Sequence, residues 1–280
     1  MEHLQAGDCL SAAYEECFAR SQPIWAQRKY YSEGVLPPTI PFIGKEYEST
    51  RILLYASAEN LSHYQGHLEN GSVTLMDRHR YYFDNAQNAD SFYPFVHCAP
   101  VNDGSLLLAA AYLCEKMGLA VRWDTPRHFL ESIAFGNFGK FSIQVKDTRR
   151  NRDYAGKMDY LRESFSYVEA DFKVLNPSCI ILPKTIYSQK KTRALLEKWA
   201  PKAKFLPICQ INVGNVNRIL RRRYPRRELQ SLSPDVARWY EELRWPGKSK
   251  ENYRAVFSYL DDVARLGCPS NVKNGAKPAL

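Results

Sequence analysis

Apolar and polar positions along the chain alternate between two periods. In "RILLYASAEN" five residues, Ile52 to Ala56, can fill a buried strand, and the polarity then flips through Ser57 and Ala58 to Glu59 and Asn60. Apolar runs this short fit strands covered on both faces of a sheet. "SIAFGNFGKFSIQ" reads as a second strand ending near Asn137, Cys179 to Leu182 as a short buried third, and the stretch before "QINVGN" as a last one. Helical patterns separate them. "GSLLLAAAYLCEKMGLAV" predicts a helix closed by Gly118 at the first position past its end, and "MDYLRESFSYVEADFKVL" and "TRALLEKW" predict two more. Strands alternating with helices imply an α/β fold with a parallel sheet between helical layers.

The flanks differ in character. Residues 1 to 34 read as one helix bearing Tyr14, Phe18 and Trp25, followed by "SEGVLPPTIPFIGKEY", whose three prolines argue for an extended connector. From Leu61 to Asp90 the chain is polar and aromatic, with Asn70-Gly71 marking a turn. "SPDVARWYEEL", opened by Ser233-Pro234, and "KENYRAVFSYLDDVARLG" predict two helices at the end. No internal repeat breaks the chain. The expected organisation is a single domain over 1–280, with a helical arm and connector at 1–44, a core at 45–228 and terminal helices and tail at 229–280.

Composition narrows the class. A chain of 280 residues, 45% hydrophobic and 13% aromatic, can bury a sizeable core. No apolar run approaches the roughly 18 to 20 residues needed to cross a bilayer, and "MEHLQAGDCLSAAYEEC" lacks a signal-peptide core, so no membrane partner and a cytoplasmic location are expected. The seven cysteines contain no C-x-x-C pair and read as reduced thiols. His63 and His67 are four residues apart but have no evident third ligand, so no metal site is expected.

Charge changes the picture more. The net charge of +9 is concentrated in "NRILRRRYPRRELQ", with Arg218, Arg221, Arg222, Arg223, Arg226 and Arg227, and in "VKDTRRNRDYAGK", with Lys146, Arg149, Arg150, Arg152 and Lys157. Basic runs are often solvated faces, but two of them in a tyrosine-rich chain point to a polyanion, with nucleic acid favoured over a membrane surface or an acidic protein.

Two readings of Glu59 and Asn60 stand side by side. Polar residues after a strand can cap the next helix. Alternatively, α/β sheets bind ligands outside the carboxyl ends of their strands, and one cleft there could hold Glu59, Asn60, Asn137, Gln210 and Asn212.

The order and spacing of these segments resemble the uracil-DNA glycosylase superfamily, most closely the families whose first motif reads like G-E-A-P-G. "YASAEN" stands at that motif. Tyr93-Pro94-Phe95-Val96 with Gly104 to Leu108 is similar to the next segment, and "FGNFGKFSIQVKDTRRNRDY" to the one after, with Asn137, Lys140, Asn151, Arg152 and Asp153 in register. "NPSCIILPKT" resembles the following strand and "NVGNVNRILR" the last motif; the similarity covers about residues 45 to 225.

The resemblance implies a three-layer α/β/α sandwich with a four-stranded, mainly parallel sheet that flips a base out of DNA and hydrolyses its N-glycosidic bond without a cofactor. A base must leave the stack to be attacked, and it is then stacked on an aromatic and read along its pairing edge. Asn137 offers that edge a donor and an acceptor. Ser57, Ala58, Tyr93 and Phe95 would complete the base site, with Phe92 a further stacking candidate. Glu59 is the carboxylate available to stabilise the sugar cation or orient water, with Asn60 and Asn212 beside it. Residues Val213 to Asn215, including Gly214, would form a loop inserted into the duplex, and Lys140, Arg149, Arg150, Arg152, Arg218, Arg221 and Arg222 would meet phosphates. The expected partner is single- or double-stranded DNA, and the expected state a monomer.

Departures from the pattern redirect the substrate. Ala58 stands where G-Q-D-P-Y members place their water-activating aspartate, Asn212 where the last motif has histidine, and Asn60 near the tyrosine that excludes 5-substituted pyrimidines. The enlarged pocket and the polar segment 61–90 point to a modified pyrimidine such as the glucosylated hydroxymethylcytosine of phage DNA, an anti-phage role, and a monofunctional hydrolase. Cysteines matching an iron-sulfur ligand pattern are absent. A catalytically inactive sensor of modified DNA and a uracil-DNA glycosylase remain alternatives.

Overall fold

Alternate residues of a single strand supply two separate cores. Ile52 and Leu54 point into one, Leu53 and Tyr55 into the other, and all four are essentially inaccessible. The computed structural model describes residues 2–25, 38–60, 104–122, 124–143, 158–209, 234 and 251–266. In chain order the elements are α1 (Glu2–Trp25), β1 (Phe42–Ile43), α2 (Tyr47–Thr50), β2 (Ile52–Asn60), α3 (Gly104–Lys116), α4 (Pro126–Glu131) and β3 (Ala134–Ile143). They continue with α5 (Met158–Leu175), β4 (Cys179–Pro183), α6 (Lys184–Tyr187), α7 (Lys190–Trp199), β5 (Lys204–Ile208) and α8 (Glu251–Leu266).

The strands form one sheet in the order β1-β3-β2-β4-β5. The pairs β2–β3, β2–β4 and β4–β5 are parallel, whereas β1 runs antiparallel to β3 through Phe42↔Phe135 and Ile43↔Ala134. The α/β class expected from the sequence is present, but the sheet has five strands and is mixed, not four-stranded. The extra strand comes from the proline-rich connector. Its apolar pair Phe42 and Ile43 is buried, and Pro38 and Pro41 are tolerated beside it because an edge strand can spare backbone donors.

Each face carries its own helical layer. Leu107 to Cys114 of α3, Phe129 and Leu130 of α4, and Ala255 to Leu260 with Val263 of α8 cover one face. Leu10, Tyr14 and Cys17 of α1, Tyr167 to Leu175 of α5, and Leu196 of α7 cover the other. Burying each large apolar side chain contributes about 1.5–3 kcal/mol, so both terminal helices add to the stability of the central sheet.

Local signals place these elements. Gly118 has φ +67, as the end of α3 requires, and its N–H donates to Glu115 O at 2.9 Å. Thr125 caps α4 by accepting from His128 N at 3.1 Å, with Pro126 next in the first helical position. At Gly44 any side chain would collide with the Leu130 and Glu131 carbonyls, which explains glycine at the approach of β1 to α4. No described helix is long and apolar enough to cross a membrane, and the five described cysteines are free thiols.

Candidate functional site

The four parallel strands run in the order β3-β2-β4-β5, so the chain steps from β2 to one side and then returns to the other. The reversal lies between β2 and β4, and in open α/β sheets the crevice outside the carboxyl ends at such a reversal is where ligands bind. Register brings the strand ends into line. Leu54 pairs with Ile181, which places Pro183, the last residue of β4, level with Ala56; Ala56 pairs with Asn137, and Pro183 with Ile208. Asn137, Ala56, Pro183 and Ile208 therefore form one row across the sheet. β4 and β5 stop there, while β2 and β3 continue.

Asn137 is the polar member of that row. It shares the face of Phe135, toward the α3 and α8 layer, and is 0% exposed. Neither its Oδ1 nor its Nδ2 has a hydrogen-bond partner. A buried polar group left unsatisfied costs about 1–3 kcal/mol, so an amide with both ends vacant is a standing penalty that packing does not explain. A bound group with an adjacent donor and acceptor would remove it. Because the amide is sealed from solvent, such a group reaches it only when this face opens.

Just past the row the β2–β3 ladder loses its register. Ala58 pairs with Gly139, but Asn60 pairs with Ile143, so two steps on β2 correspond to four on β3. Irregularities of this kind re-aim side chains and cluster beside active sites. Glu59 occupies the β2 position between the two pairs, on the strand hydrogen-bonded to the one bearing Asn137.

The strand ends fall later than the sequence pattern suggests. Glu59 and Asn60 belong to β2 and do not follow it, and Asn137 lies inside β3, which runs on to Ile143. Ladder bonds are made by backbone groups, so polar residues extend a strand whenever a partner lies alongside. Glu59 and Asn60 thus do not cap a helix.

Lys140 departs from the phosphate-contacting role expected of it. Its side chain is 0% exposed on the opposite face of β3, and its Nζ lies 2.5 Å from Asp171 Oδ2 on α5. Tyr55 Oη donates to the same oxygen at 2.5 Å, and Tyr14 Oη to Oδ1 at 2.8 Å. The ammonium also stands 4.9 Å from the Tyr55 ring centroid and 5.6 Å from that of Tyr14. Burial pushes Lys140 below its ordinary range and Asp171 above its own, while their mutual attraction, with the two tyrosine bonds at Asp171, opposes both shifts. Burial and the neighbouring carboxylate raise Tyr14 and Tyr55 well above the usual phenol range, so both hydroxyls keep their protons and donate. A lysine so enclosed meets no phosphate. One signal could have found its partner: Asp171 falls on the apolar stripe of α5 with Tyr167, Val168 and Leu175.

Of the other expected site residues, Ser57 is half-buried on β2, one position beyond the row, and Ala58 follows it. Tyr93 and Phe95, the arginines at 149, 150 and 152, and the positions from Asn212 to Arg222, including Gly214, Asn215, Arg218 and Arg221, lie outside the described residues. A hollow of about 660 Å³ lined by Gln5, Cys9, Glu48, Arg51 and Val174 opens at the other end of β2. Its main charges are already matched, since Arg51 bonds Glu48 at 3.1 Å.

No family model matches the chain, and no curated protein or solved structure matches it either.

Proposed function

We propose that the protein is a monofunctional DNA glycosylase that takes a 5-substituted pyrimidine, such as glucosylated hydroxymethylcytosine, out of the helix and hydrolyses its N-glycosidic bond. The observation that carries this reading is the doubly vacant, fully buried amide of Asn137 in the row where β4 and β5 end. A pyrimidine pairing edge offers the adjacent donor and acceptor that such an amide lacks. Glu59, beside the register shift on the neighbouring strand, supplies the carboxylate for the developing sugar cation. Asn60 leaves room for a 5-substituent where resembling enzymes carry tyrosine. Closure of the face over Asn137 suits a reaction that needs water excluded except at the sugar.

The test is release of base from duplexes carrying glucosylated hydroxymethylcytosine, uracil or ordinary cytosine, read as alkali-labile abasic sites. The reading requires release from the glucosylated duplex, loss of release in Asn137→Leu, and a fall in rate of about a hundredfold or more in Glu59→Gln with DNA binding retained. Release from uracil DNA alone would assign the smaller substrate. A second reading, a sensor of modified DNA, draws on Ala58 and Asn212 standing where resembling enzymes have an acid and a histidine. Tight, modification-dependent binding with no abasic product selects it.

A further inference from the structure

Between Lys184 and Lys204 the chain carries seven cations, Lys184, Lys190, Lys191, Arg193, Lys198, Lys202 and Lys204, against the single carboxylate of Glu197, a net +6. Lys184 is half-buried and the other six are exposed. Only Arg193 approaches an acid, at 3.9 Å from Glu197, and that carboxylate already accepts from Tyr187 Oη at 2.8 Å. None of the six lysines is in an ion pair with a described residue.

The arrangement works against the stability of α7. Its first turn contains Lys190, Lys191 and Arg193 and no acid, although the positive end of the helix dipole disfavours each cation there. Charges held against both the dipole and one another are accounted for by a partner that is absent. At the far edge of the same layer, α1 carries Glu2, Asp8, Glu15 and Glu16 against Arg20, so the basic face is local and not a property of the whole layer.

We infer that α6, α7 and the turn into β5 form a track for the phosphate backbone of a nucleic acid. α7 has ten residues and is about 15 Å long, a length over which duplex DNA carries about nine phosphate charges. Lysines supply compact, mobile charges suited to contact without sequence preference. The fully exposed uncharged residues among them, Thr185, Ser188, Ala194 and Pro201, offer no large apolar side chain to insert into a lipid surface. α6 begins where β4 ends, in the row containing Asn137, so the track starts beside the candidate site and leads away from it. The inference rests on the proposed function only in taking the nucleic acid to be DNA.

The test measures binding of the full chain to an unmodified fluorescent duplex by anisotropy between about 50 and 200 mM salt. In the variant Lys190→Gln/Lys191→Gln/Lys198→Gln/Lys202→Gln, glutamine keeps helix propensity. The slope of log affinity against log salt should become shallower by about 3 to 4. Lys116→Gln/Lys173→Gln, which removes lysines elsewhere, should leave it unchanged. An unaltered slope and affinity in the fourfold variant overturn the inference, as does lysine-dependent binding to phosphatidylserine vesicles in preference to the duplex. A protein that releases no base yet shows the lysine-dependent slope refutes the glycosylase reading and keeps the track.

Discussion

Lys140 and Asn137 lie three residues apart on β3, both with 0% exposure, and their side chains enter opposite faces of the sheet. Lys140 has a carboxylate within 2.5 Å, and two tyrosine hydroxyls complete that carboxylate's shell. Asn137 has no partner at either end of its amide. The first arrangement ties α1 and α5 to the sheet. A satisfied network of this kind rigidifies a core, whereas a vacant amide weakens the fold and is explained by a ligand. Burial alone therefore does not separate structural polar residues from functional ones; the state of their hydrogen bonds does.

The largest effect should follow from breaking the saturated side. Lys140→Met leaves Asp171 charged in an apolar layer and should cost about 3–5 kcal/mol in urea unfolding. Removing both partners in Lys140→Met/Asp171→Leu should recover part of that loss; a double variant as unstable as the sum of the singles would deny their coupling. Next in size, Tyr55→Phe and Tyr14→Phe each delete a hydrogen bond to a charged group and should cost about 1.5–3 kcal/mol. On the vacant side the sign reverses. Asn137→Leu keeps the branched shape, removes two unsatisfied atoms, and should leave stability unchanged or raise it by about 1 kcal/mol while abolishing base release. A clear drop in melting temperature would make Asn137 a structural residue.

The smallest effect comes from a polar group of intermediate kind. Partial burial raises Glu131, but the bond from Lys45 at 2.9 Å and the nearby charges of Lys45 and Arg127 outweigh it and hold the carboxyl below its usual range. A depressed folded value means its stabilisation is complete above the unfolded value of about 4.3 and is lost as pH falls through the folded one. Both cations are about half exposed, so the loss should stay under about 1 kcal/mol. Lys45→Gln should flatten the acid limb of the stability curve below about pH 4, and an unchanged limb would exclude the pair as its source.

Much of the fold was legible because it is written locally. The apolar runs at Ile52 to Ala56 and Cys179 to Leu182, the helix closed by Gly118, and the alternation of strands with helices each follow from neighbours in the chain. Asn137, Glu59 and Asn60 were legible as site candidates from their order along the chain, and the sheet pairs the strands that carry them. The burial of Lys140 was not legible, because its partner lies 31 residues away on a helix and one of the tyrosines 126 residues away on another. Nor was β1, whose two apolar residues acquire a strand only when β3 presents an open edge.

The sequence by itself determined the class of element at each described stretch and which polar residues would ride on the central strands, since period and chain neighbours decide both. Tertiary structure alone decided which face each residue took, where each strand stopped, and which buried polar group found a partner. Those outcomes depend on register and on contacts between distant segments, where a shift of one residue exchanges core face for core face.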